Sequence, residues 1–272
     1  MPLDTIDPGI ALQVAVEAAR AAGQIQKKHF HRQVSVSSKT TPFDLVSNVD
    51  LECEQAIVRI IRATFPGHNI LSEESTYSRT ASPYTWIIDP LDGTTNFLFG
   101  LPFFCTSIAL AAGDTLTTGV IYDVLLDELF SARKGAGAFL NGQKISVADI
   151  SELDKAMLIT GFYYDRGETM RENLQVIRRF FEVPVMGLRR LGSAALDLCY
   201  VAAGRATGFW EFTLSPWDYA AGLILVEEAG GTVTDHEDRR IRFREKSYVV
   251  ASNGRIHRAM LDVIHDRPRP KA

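Results

Sequence analysis

The sequence predicts a mixed α and β protein with helices layered on two sheets. Three observations carry that prediction. Residues 8–31 and the segment LECEQAIVRIIRATF read as two N-terminal helices, with apolar residues recurring at helical spacing. From Thr85 onward come short β-favouring runs divided by Gly- and Asn-containing turns, as in an antiparallel meander. The second half alternates strands with helices and closes on a second sheet and a last helix near 256–264.

Each element has a local signal. Pro8 stands near the start of the first helix, and Ile10, Leu12, Val14, Val16, Ile25 and Phe30 lie among alanines. Lys39 to Asp50, KTTPFDLVSNVD, is polar and aperiodic and reads as a loop, with Asp50 as N-cap of the second helix. HNILSEES reads as a short strand running into an acidic turn. TWIID, FCTSIALAA, LTTGVIYDVL, ELFSARKG and GAFLNGQKI follow, the last with the Asn-Gly pair of a tight hairpin. AMLITGFYY and TGFWEF are expected strands; ENLQVIRRFF and SAALDLCYVAAG are expected helices, the latter closed by Gly204. PWDYAAGLILVEEAGG opens on Pro216 and ends on glycines, a helix bounded at both ends. GTVTD and SYVVAS complete the second sheet.

Composition narrows the function. Net charge is −4 and no long basic run occurs, so nucleic acid is not an expected partner. The three cysteines, Cys53, Cys105 and Cys199, form no CxxC pair and suit buried thiols of a cytoplasmic protein. No apolar stretch approaches the about 18 residues of a membrane span. Arg59 follows Cys53 by six residues and Arg205 follows Cys199 likewise, yet both intervals read as helix rather than as an anion-binding loop.

The stretch that stands out is WIIDPLDGTTNF, Trp86 to Phe97. An apolar strand stops at Asp89, turns on Pro90 and repeats an aspartate at Asp92. That turn can aim two carboxylates and the Leu91 carbonyl at one point, the oxygen donors that a hard divalent cation takes. Gly93 then admits close backbone approach, and TTNF can open a helix whose free N–H groups hold an anion. A metal site beside a phosphate site is an arrangement for phosphoryl hydrolysis, in which paired ions sit about 3.5–4 Å apart.

DPLDGTTNF together with PWDYAAGLILVEEAGG resembles the inositol monophosphatase family of Mg²⁺-dependent, lithium-sensitive phosphatases. LSEES, LGSAALDL and the Lys39-to-Asp50 loop match further family elements in the same order. The resemblance implies the family's αβαβα sandwich and a site holding two or three Mg²⁺ ions. It implies Glu73, Asp89, the Leu91 carbonyl, Asp92 and Asp218 as metal ligands. Gly93, Thr94 and Thr95 would hold the phosphate, Asp92 would also meet the substrate, and Glu73, Thr94 and Asp50 would orient and deprotonate the attacking water. Gly192, Ser193, Ala194 and Glu211 would line the alcohol side, with Lys39 on a mobile loop. Residues 1–150 would then form an N-terminal lobe carrying most metal ligands, and 151–272 a C-terminal lobe carrying the substrate wall. A homodimer and a small phosphate ester as partner are likewise implied.

The expected substrate is a polyol phosphate, inositol 1-phosphate foremost, because Glu211 would repel a second phosphate. Histidinol phosphate, fructose 1,6-bisphosphate and a 3′-phosphonucleotide are the alternatives within the same chemistry. A regulatory or scaffolding member without catalysis is the alternative outside it, opposed by the intact carboxylate set.

Overall fold

The computed structural model describes residues 6–38, 45–162 and 167–267. Lys39 lies outside them. The first helix, α1 (Pro8–His29), is capped by the Asp7 carboxylate, which accepts from the Gly9 N–H at 2.7 Å. A two-stranded hairpin of β1 (Val36–Ser38) and β2 (Leu45–Ser47) follows, then α2 (Asn48–Thr64). Of the expected loop Lys39–Asp50, residues 39–44 lie outside the described residues and the rest is strand and helix, so Asp50 is not the cap. Ser47 caps α2, and Asp50 is the third helical residue, its carboxylate reaching back to the Ser47 N–H at 2.9 Å. Sequence S-N-V-D is a capping box, a signal present in the sequence itself.

The larger sheet comprises β3 (Asn69–Ser72), β4 (Tyr84–Asp92), β5 (Cys105–Ala112), β6 (Thr115–Asp123), β7 (Glu128–Arg133), β8 (Gly137–Leu140) and β9 (Gln143–Lys144), in that spatial order. β3 and β4 run parallel and every other pair is antiparallel. Asn141 and Gly142 make the last hairpin turn with φ of 49° and 80°. Between β4 and β5 lies the short helix α3 (Thr94–Leu98).

The smaller sheet has the order β11 (Gly187–Arg189), β10 (Met157–Thr160), β12 (Gly208–Leu214), β14 (Ser247–Ser252), β13 (Thr232–Thr234). The sequence reading missed β11, which has only three residues. The remaining helices are α4 (Glu168–Glu182), α5 (Ala194–Ala202), α6 (Pro216–Glu228) and α7 (His257–Ile264).

The layers follow from which faces are apolar. α1 and α2 bury alanine- and isoleucine-rich stripes against one face of the large sheet, around Trp86, Ile88, Ile108 and Val120. α5 and α6 fill the space between the sheets, and α6 is buried from Tyr219 through Val226 with no polar side. A helix apolar all round can only be an interior layer. α4 and α7 cover the outer face of the small sheet around Phe180, Trp210 and Met260. The order is helices, sheet, helices, sheet, helices, the layered α+β fold that the sequence predicts.

Candidate active site

The strand β4 does not stop at Asp89. It pairs with β5 through Asp89 opposite Ser107, slips register, and pairs again at Asp92 opposite Cys105. Pro90 and Leu91 form the bulge, which is where a strand tolerates proline. The Asp89 carboxylate accepts from the Leu91 N–H at 3.0 Å and closes the turn. Buried Gln26 of α1 pins it from behind, donating to the Pro90 carbonyl and to Thr106 Oγ1, both at 2.8 Å. Gln26 went unnoticed in the sequence because it acts across 64 residues. Gln26→Leu is expected to lower unfolding free energy by about 0.5–1.5 kcal/mol in urea titration, the net worth of a buried hydrogen bond, since Thr106 Oγ1 still donates to the Pro90 carbonyl at 3.2 Å.

Gly93 follows the bulge with φ 90° and ψ 33° and caps α3. A Cβ there would lie 2.9 Å from the Phe103 carbonyl, so both conformation and space demand glycine. The first bond of α3 runs from the Phe97 N–H to the Gly93 carbonyl at 3.0 Å. The N–H groups of Gly93, Thr94 and Thr95 precede that bond and belong to the end of a helix that favours an anion.

Thr94 Oγ1 lies 2.9 Å from Asp50 Oδ1 and 3.0 Å from the Leu91 carbonyl. The other oxygen of Asp50 accepts from the Ser47 N–H and hydroxyl, the latter at 2.6 Å. A fully buried carboxylate so held keeps one oxygen aimed at the threonine. Glu73 stands on the acidic turn after β3, its N–H donating to the Ile88 carbonyl at 3.3 Å. Glu54 of α2 shapes that turn, accepting from Ser72 Oγ at 2.7 Å, the Glu74 N–H at 3.1 Å and Tyr77 OH at 2.6 Å. Its role was not legible in the sequence.

From the second half, α6 brings Asp218 as its third residue, with the Ser215 N–H donating to the carboxylate at 2.7 Å. Ser193 caps α5 and donates to Asp92 Oδ2 at 2.6 Å; the Ala195 N–H donates to the same oxygen at 2.8 Å. Its hydroxyl is thus engaged with Asp92 rather than facing the alcohol side freely. Gly192, with φ 98°, precedes it, and buried Ala194 opens the helix. Asn96 ties these parts together, donating to the Phe103 and Leu191 carbonyls at 2.7 and 2.9 Å.

Electrostatics show the acids sharing one neighbourhood. Enclosure, with Glu73 adding repulsion, pushes Asp92 up to about 6 despite the Ser193 and Ala195 bonds. Asp218 is driven well above the usual carboxylate range by enclosure, then by Glu73 and Asp92. Glu211 is pushed up to about 8 by burial and then by Asp92. No three His, Cys, Asp or Glu side chains among the described residues stand as a closed metal cluster. Asp89, Asp92 and Asp218 each turn an oxygen toward a backbone N–H instead. The donor set is oxygen throughout, carboxylates and one carbonyl, which suits a hard divalent cation. Burial pushes all three cysteine thiols above their usual range, so none is a ready nucleophile.

The family model described as the inositol monophosphatase family matches residues 10–269. The chain belongs to that family. It is 41% identical over 265 residues to the Nus factor SuhB of Pseudomonas aeruginosa, covering 95% of this chain and 97% of the relative. The solved inositol monophosphatase of Anabaena (Nostoc) sp. is 40% identical with a TM-score of 0.84, covering 96% of this chain and 97% of its own. A more distant solved relative, an IMPase/NADP phosphatase complexed with Mg²⁺ and phosphate, is 25% identical with a TM-score of 0.81. That match covers 92% of this family member and 94% of the other chain.

Proposed function

We propose that this member of the family is a Mg²⁺-dependent phosphomonoesterase acting on a small polyol phosphate, inositol 1-phosphate foremost. The observation that carries the reading is the bulge in β4, which presents Asp89, the Leu91 carbonyl and Asp92 beside the left-handed Gly93. Those three groups, with Glu73 and Asp218, would hold the cations. Bound Mg²⁺ supplies positive charge for the phosphate and acidifies water at neutral pH.

The chain's own residues do the rest. The N–H groups of Gly93, Thr94 and Thr95, with the Thr95 hydroxyl, orient the phosphoryl oxygens. Thr94 donates its hydroxyl proton to Asp50, which leaves the threonine oxygen free to accept from a water. Glu73 is the carboxylate that takes up the proton of that water. Glu211, Gly192 and Ala194 line the alcohol side, and Ser193 holds Asp92 in register.

Phosphate release over a panel of inositol 1-phosphate, histidinol phosphate, fructose 1,6-bisphosphate and a 3′-phosphonucleotide tests the substrate. Highest kcat/KM is expected for inositol 1-phosphate, and a clear preference for any other ester assigns the wall to that one instead. The identity to a relative named a Nus factor supports a second reading, in which the chain acts through a macromolecular partner and not by catalysis. Phosphate release in the absence of any partner separates the two.

A further inference from the structure

Parallel pairing of β10 with β12 sets Thr160 opposite Trp210, so Gly161 and Glu211 come next on adjoining strands. In a parallel pair such neighbours project to the same face of the sheet. A methyl group on residue 161 would overlap all three atoms of the Glu211 carboxyl. The backbone does not ask for glycine here, because Gly161 is not among the glycines of positive φ, whereas Gly93 and Gly192 are. The three atoms nearest to such a methyl all belong to the Glu211 side chain, which by itself requires the position to be bare.

The segment that makes this seat is held firmly. Asn173 of α4, almost fully buried, donates to the Gly161 carbonyl at 2.8 Å and accepts from Trp210 Nε1 at 3.2 Å. Thr160 Oγ1 donates to the Trp210 carbonyl at 2.9 Å. The residue before Glu211 and the residue beside it are therefore clamped to one buried amide. Glu211 itself is 8% exposed and makes no side-chain hydrogen bond among the described residues. Near it Asp197 is enclosed, with neither oxygen hydrogen-bonded. Arg190 and Asp92 also act on the Glu211 carboxyl, so a carboxyl pushed off its seat loses the one orientation that Gly161 allows it.

We infer that Gly161, fixed by Asn173, is a positioning residue that seats Glu211, and that its missing side chain lets the carboxyl meet the hydroxyls of a polyol, which an alcohol without further hydroxyls does not need. The inference rests on the reading of Glu211 as the group that meets substrate hydroxyls.

The test is steady-state phosphate release from inositol 1-phosphate and from phenyl phosphate at saturating Mg²⁺, read as the ratio of the two kcat/KM values. Gly161→Ala is expected to lower the ratio about ten-fold through KM for inositol 1-phosphate, the loss of one oriented hydrogen bond. Gly161→Ala with Glu211→Asp is expected to recover most of it, because the shorter carboxylate leaves room for the methyl. A ratio within about two-fold of wild type in Gly161→Ala, where Glu211→Gln does shift it, overturns the inference and spares the reading of Glu211. An unmoved ratio in Glu211→Gln removes that reading, and the inference with it. Should Gly161→Ala fail to fold, the double variant decides: recovered folding supports the seat, and a double variant still unfolded overturns it.

Discussion

Asp92→Asn is expected to lower Mg²⁺-dependent phosphate release by about 10³-fold or more, while circular dichroism and gel filtration stay those of the wild type. The asparagine oxygen can still accept from Ser193 Oγ and the Ala195 N–H, so the link between the β4 bulge and α5 survives. What disappears is a negative charge in a group of acids whose mutual repulsion is otherwise uncompensated. The two effects oppose one another in the metal-free protein, where removing that charge is expected to raise Tm at about pH 8. Near-wild-type turnover in Asp92→Asn would sink the assignment of this residue as a ligand.

Without metal the wild-type protein is expected to lose stability as pH rises from about 4 to about 8. Asp92 is raised to about 6 and Glu211 to about 8, with Asp218 and Asp197 also raised. A carboxyl with a raised folded pKa binds its proton more tightly folded than unfolded. Its stabilising effect is complete below the ordinary carboxylate value and is lost as pH passes the folded value. For a chain of this size each kcal/mol lost lowers Tm by about 2–4 °C. Mg²⁺ is expected to reverse the part due to Asp92 and Asp218 and to leave the part due to Glu211 and Asp197. Thermal melts in chelator and in Mg²⁺ across that range check this, and a Tm that is flat or rises with pH in chelator contradicts it.

The break in the strand at Asp89 and the helix start after Gly93 were legible because their signals are local: Asp-Pro-Leu-Asp-Gly-Thr-Thr states both within seven positions. The helices and the meander were legible for the same reason, since periodicity and turn residues are short-range signals. What the sequence did not yield depends on contacts between distant residues. Gln26 reads as one polar residue near the end of an amphipathic helix, yet it holds the Pro90 carbonyl. Glu54 reads as a helix-surface acid, yet it ties down the turn bearing Glu73. Gly161 reads as a residue at the end of a strand, and its meaning appears only beside Glu211. Asp50 is a different case, for its capping-box partner Ser47 stands three positions away and the pattern was readable.

The central claim is that the bulge of β4 is the core of a metal-dependent phosphatase site. Phosphate release from inositol 1-phosphate by the purified chain, titrated with Mg²⁺ after exhaustive chelation, tests it most directly. No release is expected in chelator, with a saturable rise on adding Mg²⁺ and loss of that rise in Asp92→Asn and Asp218→Asn. Release that is equal with and without Mg²⁺, or no release at any Mg²⁺ concentration from any phosphate ester offered, would contradict it.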